Sequence, residues 1–148
     1  MKPIIHRMQL GDVEKVGPLL DRYRQFYDRA PDLEQAQRWL HGCCAKGKSI
    51  VFYAELDGKI AGFTQLFPML STVRCDNTWV LNDLFVETFA RRHGVGQALL
   101  NAAENFARDD GAAYITLETM RDNIYAQALY HKAGWEAEKT QWFSVSFK

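Results

Sequence analysis

Charge of one sign is in no excess in this chain: 18 Lys plus Arg stand against 18 Asp plus Glu. Without a whole-molecule field to hold a polyanion, general nucleic-acid binding is disfavoured, and any anion site has to be local. Cysteine is scarce. Cys43, Cys44 and Cys75 form no Cys-x-x-Cys pair, and an odd count without that spacing argues against a disulfide framework and for reduced thiols. His41-Gly42-Cys43-Cys44 lacks the second ligand cluster that a closed zinc site needs, so no metal is expected and the thiols read as small packing residues. No apolar stretch approaches the roughly 18 residues that span a bilayer, and Met1-Lys2-Pro3-Ile4-Ile5 runs straight into polar residues instead of a signal-peptide core. No membrane partner is expected, and the cytoplasm is the expected compartment. Internal repeats, linkers rich in Gly, Pro or Ser, and runs of like charge are also missing, which leaves one continuous domain over residues 1–148.

What is present suits such a domain. With 148 residues, 47% of them hydrophobic and 24% charged, the chain is long enough to bury a self-sufficient core. Asp12 is placed to cap a helix in which Val13, Val16, Leu19, Leu20, Tyr23, Phe26 and Tyr27 recur at spacings of three and four, ended by Pro31. Asp32 with Gln35 has the form of a capping box, opening a second helix with Leu33, Ala36, Trp39, Leu40 and Cys43 on one face and Gly47 at its end. Ser49–Leu56 and Lys59–Phe67, joined by Asp57-Gly58, predict a β-hairpin. Pro68–Asn77 reads as a loop before a long apolar strand, Thr78–Val86, which carries two polar residues, Asn82 and Asp83, in its middle. A third helix follows Gly94-Val95-Gly96 and ends at Gly111; Ala113–Thr119 predicts a strand, Ile124–Ala133 a short helix stopped by Gly134, and Trp135–Phe147 closing strands. The order is α/β with mixed strand directions.

Strand, basic turn, glycines and helix in that order put unpaired backbone N–H groups at a helix N-terminus, where the macrodipole favours an anion. Gly94 and Gly96 permit close approach to the main chain, and Arg91 and Arg92 add charge, so the segment is expected to bind phosphate. It is neither of the common nucleotide motifs: the P-loop lysine and spacing are missing, and so is the third glycine of a dinucleotide fingerprint.

Leu81-Asn82-Asp83-Leu84-Phe85-Val86 followed by Arg91-Arg92-His93-Gly94-Val95-Gly96 resembles the acetyl-CoA motif of the GNAT superfamily of N-acyltransferases, Gln/Arg-x-x-Gly-x-Gly/Ala. Asn123, Ala126, Tyr130 and Gly134-Trp135 are similar to that family's second block, Asn-x-x-Ala-x-x-x-Tyr-x-x-x-Gly-aromatic. Trp79 to Val86 and Tyr23-Arg24-Gln25-Phe26-Tyr27 further resemble small bacterial enzymes related to the diamine and thialysine acetyltransferases. The resemblance implies a mostly antiparallel mixed sheet flanked by helices and splayed at the cofactor strands. It also implies acetyl-CoA as acetyl donor with CoA as product, direct attack by an amine, and a possible homodimer.

Carried residue by residue, it implies that the backbone of Leu84, Phe85 and Val86 binds the pantetheine arm. Val95, Gly96 and Gln97 would hold the pyrophosphate with Arg91 and Arg92 beside it, while His93 is a solvated loop residue. Asn123 would hold pantetheine amides, and Tyr130 would protonate the departing thiolate, as a directional phenol can. Asp83, a carboxylate inside an apolar strand, should face a cleft or a partner and is the first choice for the base, with Glu87 and Glu118 as rivals. Asn82 is assigned to strand hydrogen bonds. Tyr23 and Tyr27 are expected to meet a cationic small-molecule amine through their ring faces, alongside Asp83, although their spacing fits a packing stripe equally well. Trp135, Trp142 and Phe143 read as core or dimer-contact aromatics. A protein amino group as acceptor and a catalytically silent acyl-CoA-binding module are the alternatives.

Overall fold

The computed structural model describes residues 2–148, and the chain divides into two compact units, 1–118 and 119–148. The first unit holds a five-stranded sheet in the order β1 (Ile4–Arg7), β2 (Ile50–Leu56), β3 (Lys59–Ser71), β4 (Asp76–Val86), β5 (Ile115–Leu117). Every neighbouring pair is antiparallel except β4 with β5. Between β1 and β2 lie α1 (Val13–Gln25) and α2 (Leu33–Ala45), and α3 (Val95–Asp109) joins β4 to β5. This is the expected α/β class.

The alternation of strand side chains sorts the core into two layers. Phe63 and Phe85 pack with Val16, Leu19, Leu20 and Leu40 on the α1–α2 face. Leu84, Val86, Ala54 and Ala61 pack with Val95 and Leu99 on the α3 face. Phe63, Leu66, Leu99 and Leu100 are almost wholly buried, each contributing about 1.5–3 kcal/mol by removal from water.

Several sequence expectations need correction. Asp12 precedes α1, but its carboxylate reaches back to the Gln9 N–H (2.9 Å) and makes no forward cap. The first helix ends at Gln25, well before Pro31, so Phe26 and Tyr27 lie beyond it and are exposed. Asp32 does cap α2 through the Gln35 N–H (3.0 Å), but Gln35 does not close a box: its side-chain oxygen accepts from Arg24 and the Asp32 N–H goes to Asp21. Leu33 and Trp39 fall off the buried face of α2. The expected loop at Pro68–Asn77 is instead the far end of a hairpin, with Pro68 paired to Trp79 and a turn through Cys75 in the left-handed region. Pro68 is tolerated because β2 ends opposite Leu66, leaving that side of β3 open where a missing N–H breaks no ladder.

The second unit contains α4 (Ile124–Lys132), capped at its start by Asn123 and closed at Gly134 in the left-handed region, with Trp135 N–H returning to the Tyr130 carbonyl. The closing strands expected over Trp135–Phe147 do not form: none of these residues enters a ladder, and Trp142 and Phe143 are 72% and 87% exposed. Apolar alternation is not sufficient for a strand, because its backbone groups need a partner.

Candidate active site

The turn ahead of α3 is built to meet an anion. Gly94 has a φ of 78° and nothing within 4 Å of where a Cβ would lie; Arg92, at 67°, shares the left-handed region with it. The Ala98 N–H takes the Gly94 carbonyl (3.0 Å), which starts the helix and leaves the amides of Val95, Gly96 and Gln97 without a helical acceptor. No acidic residue stands in that first turn. Arg91 is held against the end of β4 by its Nε bond to the Val86 carbonyl (3.3 Å), with its guanidinium 6.0 Å from the Phe26 ring. Arg92 and His93 are exposed.

β4 delivers two further features from one irregularity. Gln65 pairs with Asp83 and Leu66 with Leu81, so Asn82 is an extra residue, a β-bulge. Before it, β4 pairs with β5 over Trp79–Leu81; after it, that edge has no neighbouring strand among the described residues. The Glu87 N–H bonds to the Ala61 carbonyl (2.8 Å), which fixes the alternation: Phe85 and Asp83 turn their backbone groups to β3, and Leu84 and Val86 turn theirs to the open edge. The parting of β4 from β5 therefore has a local cause. The Val86 carbonyl on that edge is taken by Arg91, which leaves the Val86 N–H and the peptide groups of Leu84 as what an amide-bearing arm can pair with.

On the α1–α2 face, the bulge brings Asn82 and Asp83 to the wall of a cavity of about 360 Å³, also lined by Tyr23, Tyr27, Arg24, Arg29, Trp39 and Gln65. The Asp83 carboxylate accepts from Gln65 Nε2 (2.9 Å) and Asn82 Nδ2 (3.1 Å). Gln65 is itself oriented, since buried Ser49 donates its hydroxyl to Oε1 (3.0 Å) and so aims Nε2 at the carboxylate. Burial pushes the Asp83 pKa above the usual carboxylate range, while the two amides and the Tyr23 phenol oppose the shift. Burial, with Tyr27 and the Asp83 charge, pushes the Tyr23 phenol upward, so it stays protonated as a donor. Tyr23 also packs edge-on against Phe63 and Phe85, so it serves core and cavity together.

Of the rival carboxylates, Glu87 is committed to Arg22, whose Nε lies 2.6 Å away, and Glu118 is exposed; neither lines the cavity. In the second unit, the Asn123 side-chain oxygen accepts from the Ala126 N–H (3.2 Å), a helix-capping bond. Tyr130 is half-buried, with its ring 6.4 Å from that of Trp135. Trp142 and Phe143 are not core residues. Asn82, assigned to strand hydrogen bonds, instead spends its amide on Asp83. Gln65, Ser49, Arg29 and Trp39 are not marked as site residues by the sequence, and Arg24 is marked only as a member of the Tyr23–Tyr27 segment. The one available signal was Gln65, a polar residue inside the apolar run Ala61–Phe67.

A family model described as the acetyltransferase (GNAT) family matches residues 16–135. Over 134 residues, 90% of each chain, the sequence is 38% identical to an uncharacterized N-acetyltransferase, YhfO, of Bacillus subtilis (strain 168). It is 30% identical over 99 residues to an aminoglycoside N(6')-acetyltransferase type 1 of Klebsiella aerogenes, covering 66% of this chain and 65% of that one. The crystal structure of a probable acetyltransferase superposes with a TM-score of 0.91 over 98% of both chains at 28% identity.

Proposed function

This chain belongs to the acetyltransferase (GNAT) family of acyltransferase enzymes, which use acetyl-CoA, and from that premise we propose that it acetylates a primary amine of a small molecule by direct attack in a ternary complex. The observation that carries the reading is the bulge at Asn82. It turns one strand into both an open peptide edge, at Leu84 and the Val86 N–H, and a carboxylate-bearing cavity wall, at Asp83.

The turn before α3 offers groups suited to the donor. The free amides of Val95, Gly96 and Gln97 suit a pyrophosphate, the vacant side of Gly94 lets it approach, and Arg91 and Arg92 flank it. The backbone of Leu84, Phe85 and Val86 is assigned the pantetheine arm, with Asn123 holding its amides. When bound, acetyl-CoA supplies an electrophilic thioester carbonyl and a sulfur leaving group. Asp83 accepts the proton of the incoming ammonium, directly or through water, which frees the nitrogen lone pair; a carboxylate with a raised pKa is the better acceptor. The Tyr130 hydroxyl gives its proton to the departing sulfur. Tyr23 and Tyr27 present ring faces and hydroxyls to the ammonium.

A cavity near the lower end of the roughly 300–1,000 Å³ typical of ligand pockets supports a small acceptor. Within the family, the Trp79–Val86 segment draws the chain toward the diamine and thialysine acetyltransferase branch. A single catalytic domain over 1–148, a cytoplasmic location and a homodimer complete the proposal; the family match spans residues 16–135, and Cys43, Cys44 and Cys75 are all free. Among the described residues no helix is long and apolar enough to cross a membrane, and no group of metal-ligating side chains is present. The test is release of CoA thiol from acetyl-CoA with a panel of primary amines and peptides. Turnover with small amines alone supports the reading, turnover with peptides alone moves the acceptor to protein, and acetyl-CoA binding without turnover makes the chain a binding module.

A further inference from the structure

The cavity beside Asp83 carries more positive than negative charge. Its charged lining residues are Asp83, the half-buried Arg24 and the exposed Arg29. Among the described residues neither arginine has a carboxylate within ion-pair distance; Arg24 has only the neutral oxygen of Gln35 (3.2 Å). Arginines elsewhere are mostly provided for. Arg22, Arg38 and Arg108 pair with Glu87, Glu34 and Glu104, and Arg7, Arg74 and Arg91 lie over aromatic rings. The nearby carboxylate of Asp21 is occupied by the Asp32 N–H, and that of Asp32 by the Gln35 N–H.

The chain also fixes the backbone from which the Arg29 side chain leaves. The Asp28 N–H bonds to the Gln25 carbonyl (3.1 Å) and the Arg29 N–H to the Arg24 carbonyl (3.2 Å), a Schellman closure of α1 in which Asp28 occupies the left-handed position at φ 60°. The three other helix ends closed in this way use Gly47, Gly111 and Gly134 there. Both guanidiniums therefore stem from the two ends of one hydrogen-bonded turn, with Arg24 half-buried.

Building on the acetyl-transfer reading, we propose that the acceptor is an amine carrying its own anionic group, a carboxylate or phosphate, which Arg24 and Arg29 bind while the ammonium meets Asp83. A guanidinium binds either oxyanion in a bidentate fork, and a half-buried one gains from a charged partner more than from an amide. A polycation would bring a second positive charge toward two arginines, where like charges disfavour it. The cavity thus narrows the branch assignment made above, disfavouring diamines, which offer only ammonium groups.

The experiment follows CoA thiol release with wild-type protein and three matched probe series: ω-amino acids of three to six carbons, aminoalkyl phosphates of the same lengths, and the corresponding alkylamines and diamines. The proposal expects the best anionic amine to exceed its alkylamine in kcat/KM by about ten-fold or more, and its diamine by a wider margin, as paired against unpaired charge in a site predicts. Which anionic series wins separates carboxylate from phosphate. Arg29→Gln and Arg24→Gln should each collapse the ratio of anionic amine to alkylamine by about ten-fold, mainly through KM, and Arg29→Lys should restore part of it. Equal or better turnover of diamines, or variants that slow both probes alike, would overturn the anion site while leaving acetyl transfer standing. Bound acetyl-CoA without turnover of any probe would overturn the transfer reading itself, and this inference with it.

Discussion

The turn before α3 and the cavity at β4 meet charge in opposite ways. The turn uses backbone: the N–H groups of Val95, Gly96 and Gln97, opened by Gly94, with no acidic residue in the first helical turn. The cavity uses side chains drawn from α1, the segment after it, α2, β3 and β4, and its carboxylate is held by a chain that runs from Ser49 through Gln65 to Asp83. A backbone site tolerates changes of side chain around it but not a Cβ or charge inside it. A side-chain site depends on partners far apart in sequence, and each can be adjusted singly. One region therefore suits a constant feature of the donor, the other a variable acceptor.

The sharpest break is at the glycines. Gly96→Glu, or Gly94→Asp, should abolish acetyl-CoA binding by calorimetry, because each puts a negative charge where a pyrophosphate is to rest. At Gly94 a side chain in the left-handed region costs folding only about 1 kcal/mol, so a thermal melt should still show a folded protein. Retained affinity would remove the turn from the site. The cavity should respond differently. Asp83→Asn should keep acetyl-CoA affinity, lower kcat/KM at neutral pH by about 10²–10⁴, and recover part of the loss at high pH, where free amine is abundant. Superimposable pH–rate profiles for the variant and wild type would exclude Asp83 as base. Tyr130→Phe should leave donor affinity within a few-fold and lower kcat by about ten- to a thousand-fold. An unchanged rate, with chemistry limiting, would assign Tyr130 to packing against Trp135.

The same contrast explains what the sequence disclosed. The turn was legible because its parts are contiguous: strand, basic pair, two glycines and helix occupy one short stretch. Asn82 and Asp83 were visible as an anomaly in an apolar strand, but the bulge behind them depends on register with β3 and could not be read from β4 alone. Ser49 and Arg29 carried no local pattern, and Gln65 showed only as a polar residue in an apolar run, since the partners of all three lie across turns and strands. Tyr23 fitted both packing and cavity, and it does both. The closing strands failed for a related reason: alternation over Trp142–Phe147 records side-chain character, whereas a ladder is a property of two segments. Helix ends were legible at Gly47, Gly111 and Gly134, and illegible at α1, where an aspartate takes the glycine's position.

The smallest expected effect probes the most distant link in the cavity. Ser49→Ala removes the donor that orients Gln65, leaving a buried amide oxygen unpaired at a cost of about 1–3 kcal/mol of stability. Gln65 then gains freedom to turn, and Asp83 loses part of the hydrogen bonding that opposes its burial. Its pKa, already raised, should rise further. Two measurements follow. In catalysis, the acidic limb of the kcat/KM profile should move to higher pH, with only a few-fold loss at its plateau, because Asp83 itself remains. In stability, a raised carboxyl pKa means that the folded state holds the proton longer than the unfolded chain. Unfolding free energy therefore falls as pH rises from the unfolded value of 3.8 through the folded one. Ser49→Ala should extend that fall to higher pH, and Asp83→Asn should abolish it. If Ser49→Ala lowers stability but leaves the acidic limb where wild type has it, Ser49 and Gln65 serve packing alone, and the cavity's carboxylate is tuned by Asn82 and Tyr23 without them.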